Sequence, residues 1–235
     1  MATAYGRSKC VIAATATAML AIAFGSPAVR ADDDCQIPGR QFVSVKLDTP
    51  PVVIDHSLSR AALTARSKQD NRGRDEALQS LGRTEIDIAF HTSARTATKP
   101  VGARGFCAAI FSIEITVTWG TKELIASELK PNSCMSDAVT KHEAKHVNVV
   151  RRSQAEVETR VRKAVVAAIA MPIVAATDDQ ASDKAREDVK AVVSSTLDAI
   201  IVALNNQQAA LDNPEELGEA RTICGNAAYN AAFTD

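Results

Sequence analysis

The residues of this chain whose types and spacing could do chemistry are two histidines four apart with a glutamate directly after the first, in the run His142-Glu143-Ala144-Lys145-His146. On a helix, positions four apart lie on one face a turn apart, so both imidazoles can grip one tetrahedral metal ion. Glu143 follows about 100° further round, beside the position such a site leaves open. A carboxylate there can take a proton from a water polarised by the metal and pass it to a leaving amine. Imidazole ligands and an open fourth position favour zinc, one Zn2+ per chain. The bland alternative makes His142 and His146 packed core residues. That choice would bury ring nitrogens between Val139 and Val149, each needing a partner.

The element that must carry this motif is a long helix. From Ser133 onward the chain is rich in Ala, Val, Glu and Lys at helical spacing. Ser133 or Ser136 can cap a helix whose apolar stripe runs Met135, Val139, His142, His146, Val149, Val150, Val157, Val161, Ala164, Val165 and Ala168. Met171-Pro172 and Asp178-Asp179 mark a break, and a second helix reads from Ala185 through Val189, Val193, Leu197, Ile200 and Leu204 to Leu211. A third, short helix can begin at Pro214, with Glu215 and Glu216 in its first turn.

Residues 32–130 read instead as strands and loops. Ala109 to Trp119 is the clearest strand: Phe111, Ile113, Ile115, Val117 and Trp119 alternate with Ser112, Glu114, Thr116 and Thr118, so one face should cover a core. Gln41 to Leu47, Thr84 to His91 and Glu123 to Glu128 are weaker strands, and Ser67 to Arg83 reads as a loop or short helix. The expected fold class is α+β, an N-terminal mostly antiparallel sheet followed by a C-terminal helical hairpin.

The first segment reads as an address. Arg7 and Lys9 precede an apolar run, Cys10 to Phe24, that is short for a membrane span, and small residues follow up to a cleavage point after Ala31. A signal peptide over residues 1–31 leaves a single expected domain, 32–235, made of a strand-rich part (32–130) and a helical part (131–235). Its removal takes away Arg7, Lys9 and Arg30 and no carboxylate, so the 27 basic residues fall to about 24 against 28 acidic ones. A net charge of about −4 gives no reason to expect nucleic acid. No later apolar stretch is both long and uncharged, so no membrane association is expected after export to the periplasm or the exterior. Cys35, Cys107, Cys134 and Cys224 then remain, an even set for an oxidising compartment, with three possible pairings and no Cys-x-x-Cys pair to suggest a zinc knuckle.

From Cys107 to Glu216 the chain resembles a family of predicted secreted Zn-dependent proteases, catalogued as a domain of unknown function. The shared features are a cysteine-containing strand region, His-Glu-x-x-His followed by Val as in His142 to Val147, and a helical hairpin reaching a Gln and Asp cluster matched by Gln207, Gln208 and Asp212. The resemblance implies a zincin-like fold with an edge strand beside the motif helix, and a peptide or protein substrate. In that family the Asp is followed by His-Gly, whereas here Asn213-Pro214-Glu215-Glu216 follows and no histidine lies beyond His146.

Geometry gives a second approach to the third ligand. A hairpin turning at residues 171–178 sets residue n of the first helix level with roughly residue 348 − n of the second. His142 and His146 then face residues near 202 to 206, and a turn or two of slack reaches Gln208 and Asp212. Asp212 is the first choice, Glu216 or Glu215 the next, with helix-end capping as the ordinary reading of each. His91, at the end of a weak strand, is an outside candidate whose ordinary reading is a surface histidine. Glu156 and Glu158 stand too far up the helix, about 15 Å away. An oxyanion stabiliser would be expected in a peptidase, but for Tyr229, Arg151 and Arg152 packing of a C-terminal segment and a solvated helix face are the stronger readings, and none is assigned that role. The first function expected is zinc-dependent hydrolysis of a peptide or similar amide bond with Glu143 as general base. The second is a non-catalytic exported binding module in which a metal or core histidines staple the hairpin and its surface binds a partner.

Overall fold

The computed structural model describes residues 35, 37, 41–70, 80–212 and 214–232. The expected signal peptide, residues 1–31, lies outside them, as does most of Ser67 to Arg83. The order of elements is β1 (Phe42–Asp48), β2 (Val53–Asp55), α1 (Arg60–Asp70), β3 (Gly82–Pro100), a 3-10 turn (Gly102–Arg104), β4 (Phe106–Ile125), α2 (Cys134–Ile169), β5 (Ile173–Ala175), α3 (Asp178–Leu211) and α4 (Pro214–Ala231). The class is α+β, as expected.

The sheet is organised around β4, with which β1, β2, β3 and β5 all pair. Its mostly antiparallel character is not supported. β2 runs parallel to β4, with Val53 level with Lys122 and Asp55 with Leu124, whereas β5 is antiparallel to it. A parallel neighbour needs a crossover rather than a tight turn, and between β2 and β4 the chain passes through α1 and β3. Periodicity of one strand does not fix the direction of its neighbour, so the alternation in β4 could not secure the antiparallel expectation. The alternation itself is as expected: Ile113, Ile115, Val117 and Trp119 are buried and Glu114 is exposed. Phe111 departs from it and is exposed.

The chain divides into two compact units. Among the described residues, the first comprises those up to Val45, Ala89–Thr116 and Arg162–Val193. There β3 turns into β4 through Val101–Gly105, where the Val101 N–H donates to the Gly105 carbonyl at 2.8 Å. Gly105 sits at φ 96°, and a side chain on it would run into the Ala175 carbonyl of β5. Cys35 and Cys107 form a disulfide beside Val101.

The second unit comprises Lys46–Ile88, Val117–Val161 and Ser194–Asp235. Its core gathers Leu63, Leu81, Leu124, Ile125, Ala126, Leu129, Met135 and Val139, with Ala220, Cys224, Ala228 and Tyr229 of α4 packed against them. Full burial of each large aliphatic side chain is worth about 1.5–3 kcal/mol. α1 was not anticipated within the strand-rich half. Ser59 caps it, its Oγ accepting the Ala62 N–H at 3.2 Å, and Leu63 anchors it in the core. The Cys134–Cys224 disulfide ties the start of α2 to α4.

α2 begins where Ser133 caps it, its Oγ accepting the Ser136 N–H at 3.2 Å. Ser136, the other candidate cap, lies buried one turn in. The stripe is buried as expected at Met135, Val139, Val149, Val150, Val157, Val161 and Val165. α3 starts at Asp178, earlier than the apolar pattern suggested, because Thr177 caps it through the Gln180 N–H at 3.3 Å and Asp178 and Asp179 favour its N-terminal dipole. Among the described residues no helix is long and apolar enough to cross a membrane.

Candidate metal centre

The site is built in the second unit from one stretch of α2 and the last turn of α3. His142, Glu143 and His146 stand on α2, and Asp212 directly follows α3. The two imidazoles meet edge to face, ring centres 4.8 Å apart, as i and i+4 positions of a helix require. Asp212 Oδ1 lies 3.4 Å from His142 Nε2 and 3.1 Å from His146 Nε2, and the two Nε2 atoms are 3.1 Å apart. Taken together, one ligand atom from each of His142, His146 and Asp212 lies within 4.8 Å of the others.

Two imidazole nitrogens and one carboxylate oxygen form a donor set that suits zinc and other divalent transition metals. A three-ligand set leaves a coordination position open. The site is shielded on the helix side, since His146 is 6% exposed, and more open at Asp212, whose side chain is 33% exposed.

Glu143 lies deeper than its neighbours, 4% exposed. Its Oε2 accepts a hydrogen bond from the Thr84 hydroxyl at 2.8 Å, which attaches the start of β3 to α2. Gly82 makes that approach possible: a Cβ there would stand 2.6 Å from both Glu143 Oε1 and Val139 Cγ1. Burial pushes the Glu143 carboxyl above the ordinary glutamate range. The nearby histidines and the Thr84 hydroxyl oppose this without overcoming it, and the Asp212 charge adds to it. For His146 burial acts downward, but the hydrogen bond and charge of Asp212, the charge of Glu143 and the Gln208 contact together raise it above the ordinary imidazole value.

Gln208, on the facing side of α3, contacts the His146 ring through its Oε1, which meets Nδ1. Its Nε2 also donates to the His146 main-chain carbonyl at 3.2 Å. Lys145, between the histidines in sequence, points away and pairs with Glu219 of α4 at 2.8 Å.

The structure thus brings together His142, His146 and Asp212, with Gln208 against His146 and the Glu143 carboxyl near enough for its charge to act on His146. His91 belongs to the first unit, exposed on β3. The side chains of Glu215 and Glu216 lie outside the described residues. Glu158 accepts the Leu47 N–H at 3.2 Å and Glu156 pairs with Arg160, so both have work elsewhere. Tyr229 packs into the core of the second unit and Gln207 is exposed. Asp212 contacts His142 about six residues beyond the simple fold-back level. The link between the helices contains the extended β5, whose residues advance about 3.3 Å each rather than 1.5 Å, so counting by helical rise falls short. Thr84 and Gly82 were missed. A threonine opening a strand and a glycine before it carry no signal of a partner 59 residues away. Comparison with known proteins finds no family model, no curated protein and no solved structure that matches this chain.

Proposed function

We propose that this chain is an exported zinc-dependent hydrolase, a metallopeptidase of the zincin kind acting on a peptide or protein substrate. The observation that carries the reading is the convergence of His142, His146 and Asp212 on one point with Glu143 buried beside it. When bound there, zinc would polarise water and a substrate carbonyl. The chain's own part is division of labour: His142, His146 and Asp212 hold the ion, and Glu143 accepts a proton and returns it to the leaving nitrogen. A carboxyl raised by burial suits that task, because a general base works best when its pKa approaches the working pH. Thr84 holds one Glu143 oxygen, and the other lies against Gly82.

Export is supported by the leader-like first 31 residues together with two disulfides, Cys35–Cys107 and Cys134–Cys224, which persist in oxidising compartments. Placement in the periplasm or outside the cell follows from that reading. The resemblance to secreted zinc proteases rests on the motif, the hairpin and the Gln and Asp cluster. Gln208 and Asp212 of that cluster lie against the motif histidines.

Metal analysis of protein purified without chelator tests the proposal. About one zinc per wild-type chain is expected, with loss in His146→Ala and Asp212→Ala. Glu143→Gln should keep the metal and lose hydrolysis of a denatured protein substrate. Wild type without metal, or Glu143→Gln hydrolysing as wild type does, sinks it. The engagement of Glu143 by Thr84 in a nearly closed position favours a second reading, a non-catalytic module stapled by its metal. Zinc bound with four protein ligands and no exchangeable position would decide for that one.

A further inference from the structure

Gln208 makes two contacts with one residue, and together they fix what neither fixes alone. A main-chain carbonyl can only accept, so the Gln208 atom 3.2 Å from the His146 carbonyl must be its amide nitrogen. The other end of the amide, Oε1, then faces His146 Nδ1 and can only accept in turn. Nδ1 therefore carries a proton. Reversing the amide would set oxygen against oxygen at the carbonyl and lose that bond, so the carbonyl fixes which end of the amide meets Nδ1. In the neutral ring a proton on Nδ1 leaves the lone pair on Nε2, and Nε2 is the atom directed at Asp212 and His142.

We propose that Gln208 is the positioning residue that holds His146 in the Nδ1–H form and aims its Nε2 at the metal. The inference rests on the metal reading above and deepens it. The C-terminal end of α3 then serves the centre twice: Asp212, directly after the helix, as a ligand and Gln208, one turn before it, as the orienter of a ligand from α2. The amide also locks the His146 backbone, so ring rotation and helix register are restrained by the same side chain. Partners of this kind alter metal affinity by about 10–100-fold when removed.

The test uses the oxidised full chain as wild type, Gln208→Leu and Gln208→Glu. Zinc affinity is measured by competition with a chromophoric chelator, and the His146 ring nitrogens are read by long-range 1H–15N NMR with and without zinc. Gln208→Leu removes both bonds, whereas Gln208→Glu keeps an acceptor at Nδ1, replaces the donor to the carbonyl with a second oxygen and adds a negative charge. Expected are an Nδ1 proton protected from exchange in wild type, affinity lower by about 10–100-fold in Gln208→Leu, and affinity within a few-fold of wild type in Gln208→Glu. Wild-type affinity in Gln208→Leu overturns the proposal. So does a fall in Gln208→Glu as deep as in Gln208→Leu, which would make the side chain a backbone clamp only. A wild-type chain that takes up no zinc sinks the metal reading alone. The metal-free spectrum then judges Gln208: an Nδ1 proton protected in wild type and lost in Gln208→Leu upholds the assignment, and one indifferent to the change overturns it.

Discussion

Replacing Gly82 by alanine should destabilise the protein, although the change adds one methyl group to a strand end. The new Cβ would stand 2.6 Å from Val139 Cγ1 and Glu143 Oε1 and 3.0 Å from Glu143 Cγ, where carbon contacts relax to about 3.5–4.0 Å. Something must yield by about 1 Å. Val139 is a β-branched residue in mid-helix with one strongly preferred rotamer, and Glu143 is held by Thr84, so neither swings away freely. Overpacking of this size costs about 1–3 kcal/mol, offset by about 0.4–1 kcal/mol from the stiffer unfolded chain. A net loss of about 1–2 kcal/mol lowers the melting temperature by roughly 2–8 °C in a chain of this length. Urea and thermal unfolding of wild type, Gly82→Ala, Val139→Ala and the double variant measure it. Because Val139→Ala removes the methyl groups that clash, the double variant should lose less than the two singles together, with a coupling of about 0.5–3 kcal/mol. Zinc affinity should change little in Gly82→Ala, because His142 and His146 are untouched, while hydrolysis falls by about 100-fold with Glu143 displaced. Gly82→Ala as stable as wild type, or strictly additive unfolding energies, would refute the reasoning.

Two further predictions concern pH and covalent ties. His146 in the metal-free fold has its pKa raised, so the stability it contributes is present below the unfolded value near 6.5 and is lost as pH rises through the folded value. Zinc must displace the Nε2 proton, so zinc affinity should rise with pH across that same window; chelator competition giving equal affinity at pH 6 and pH 8 would contradict this. Cys134 and Cys224 are 90 residues apart, and removing their disulfide as Cys134→Ala/Cys224→Ala should cost about 2–5 kcal/mol and expose α4 to proteolysis first. Urea midpoints and limited digestion check it, and an α4 as resistant as in wild type would show that its packing on the core suffices.

The sequence alone determined whatever is local or periodic. Spacing of four put His142 and His146 on one face, and the valines above them set the stripe that buries α2. Alternation along Ile113, Ile115, Val117 and Trp119 marked β4. Pro214 marked the start of α4, and the four cysteines after residue 31 announced two disulfides. Asp212 was reached through the Gln and Asp cluster of the resemblance, with the helical count, short by about six residues, agreeing only loosely. The tertiary structure decided what depends on pairs distant in the chain. Strand direction is one such property, since the parallel β2–β4 pair is invisible in either strand's pattern. Disulfide partners are another, because four cysteines allow three pairings. The approach of Thr84 and Gly82 to Glu143 joins segments 59 residues apart, and no period in the sequence spans that gap. Gln208 stands between the two cases: its place on α3 was legible, but its hold on both the ring and the carbonyl of His146 required two packed helices to bring one amide within reach of both.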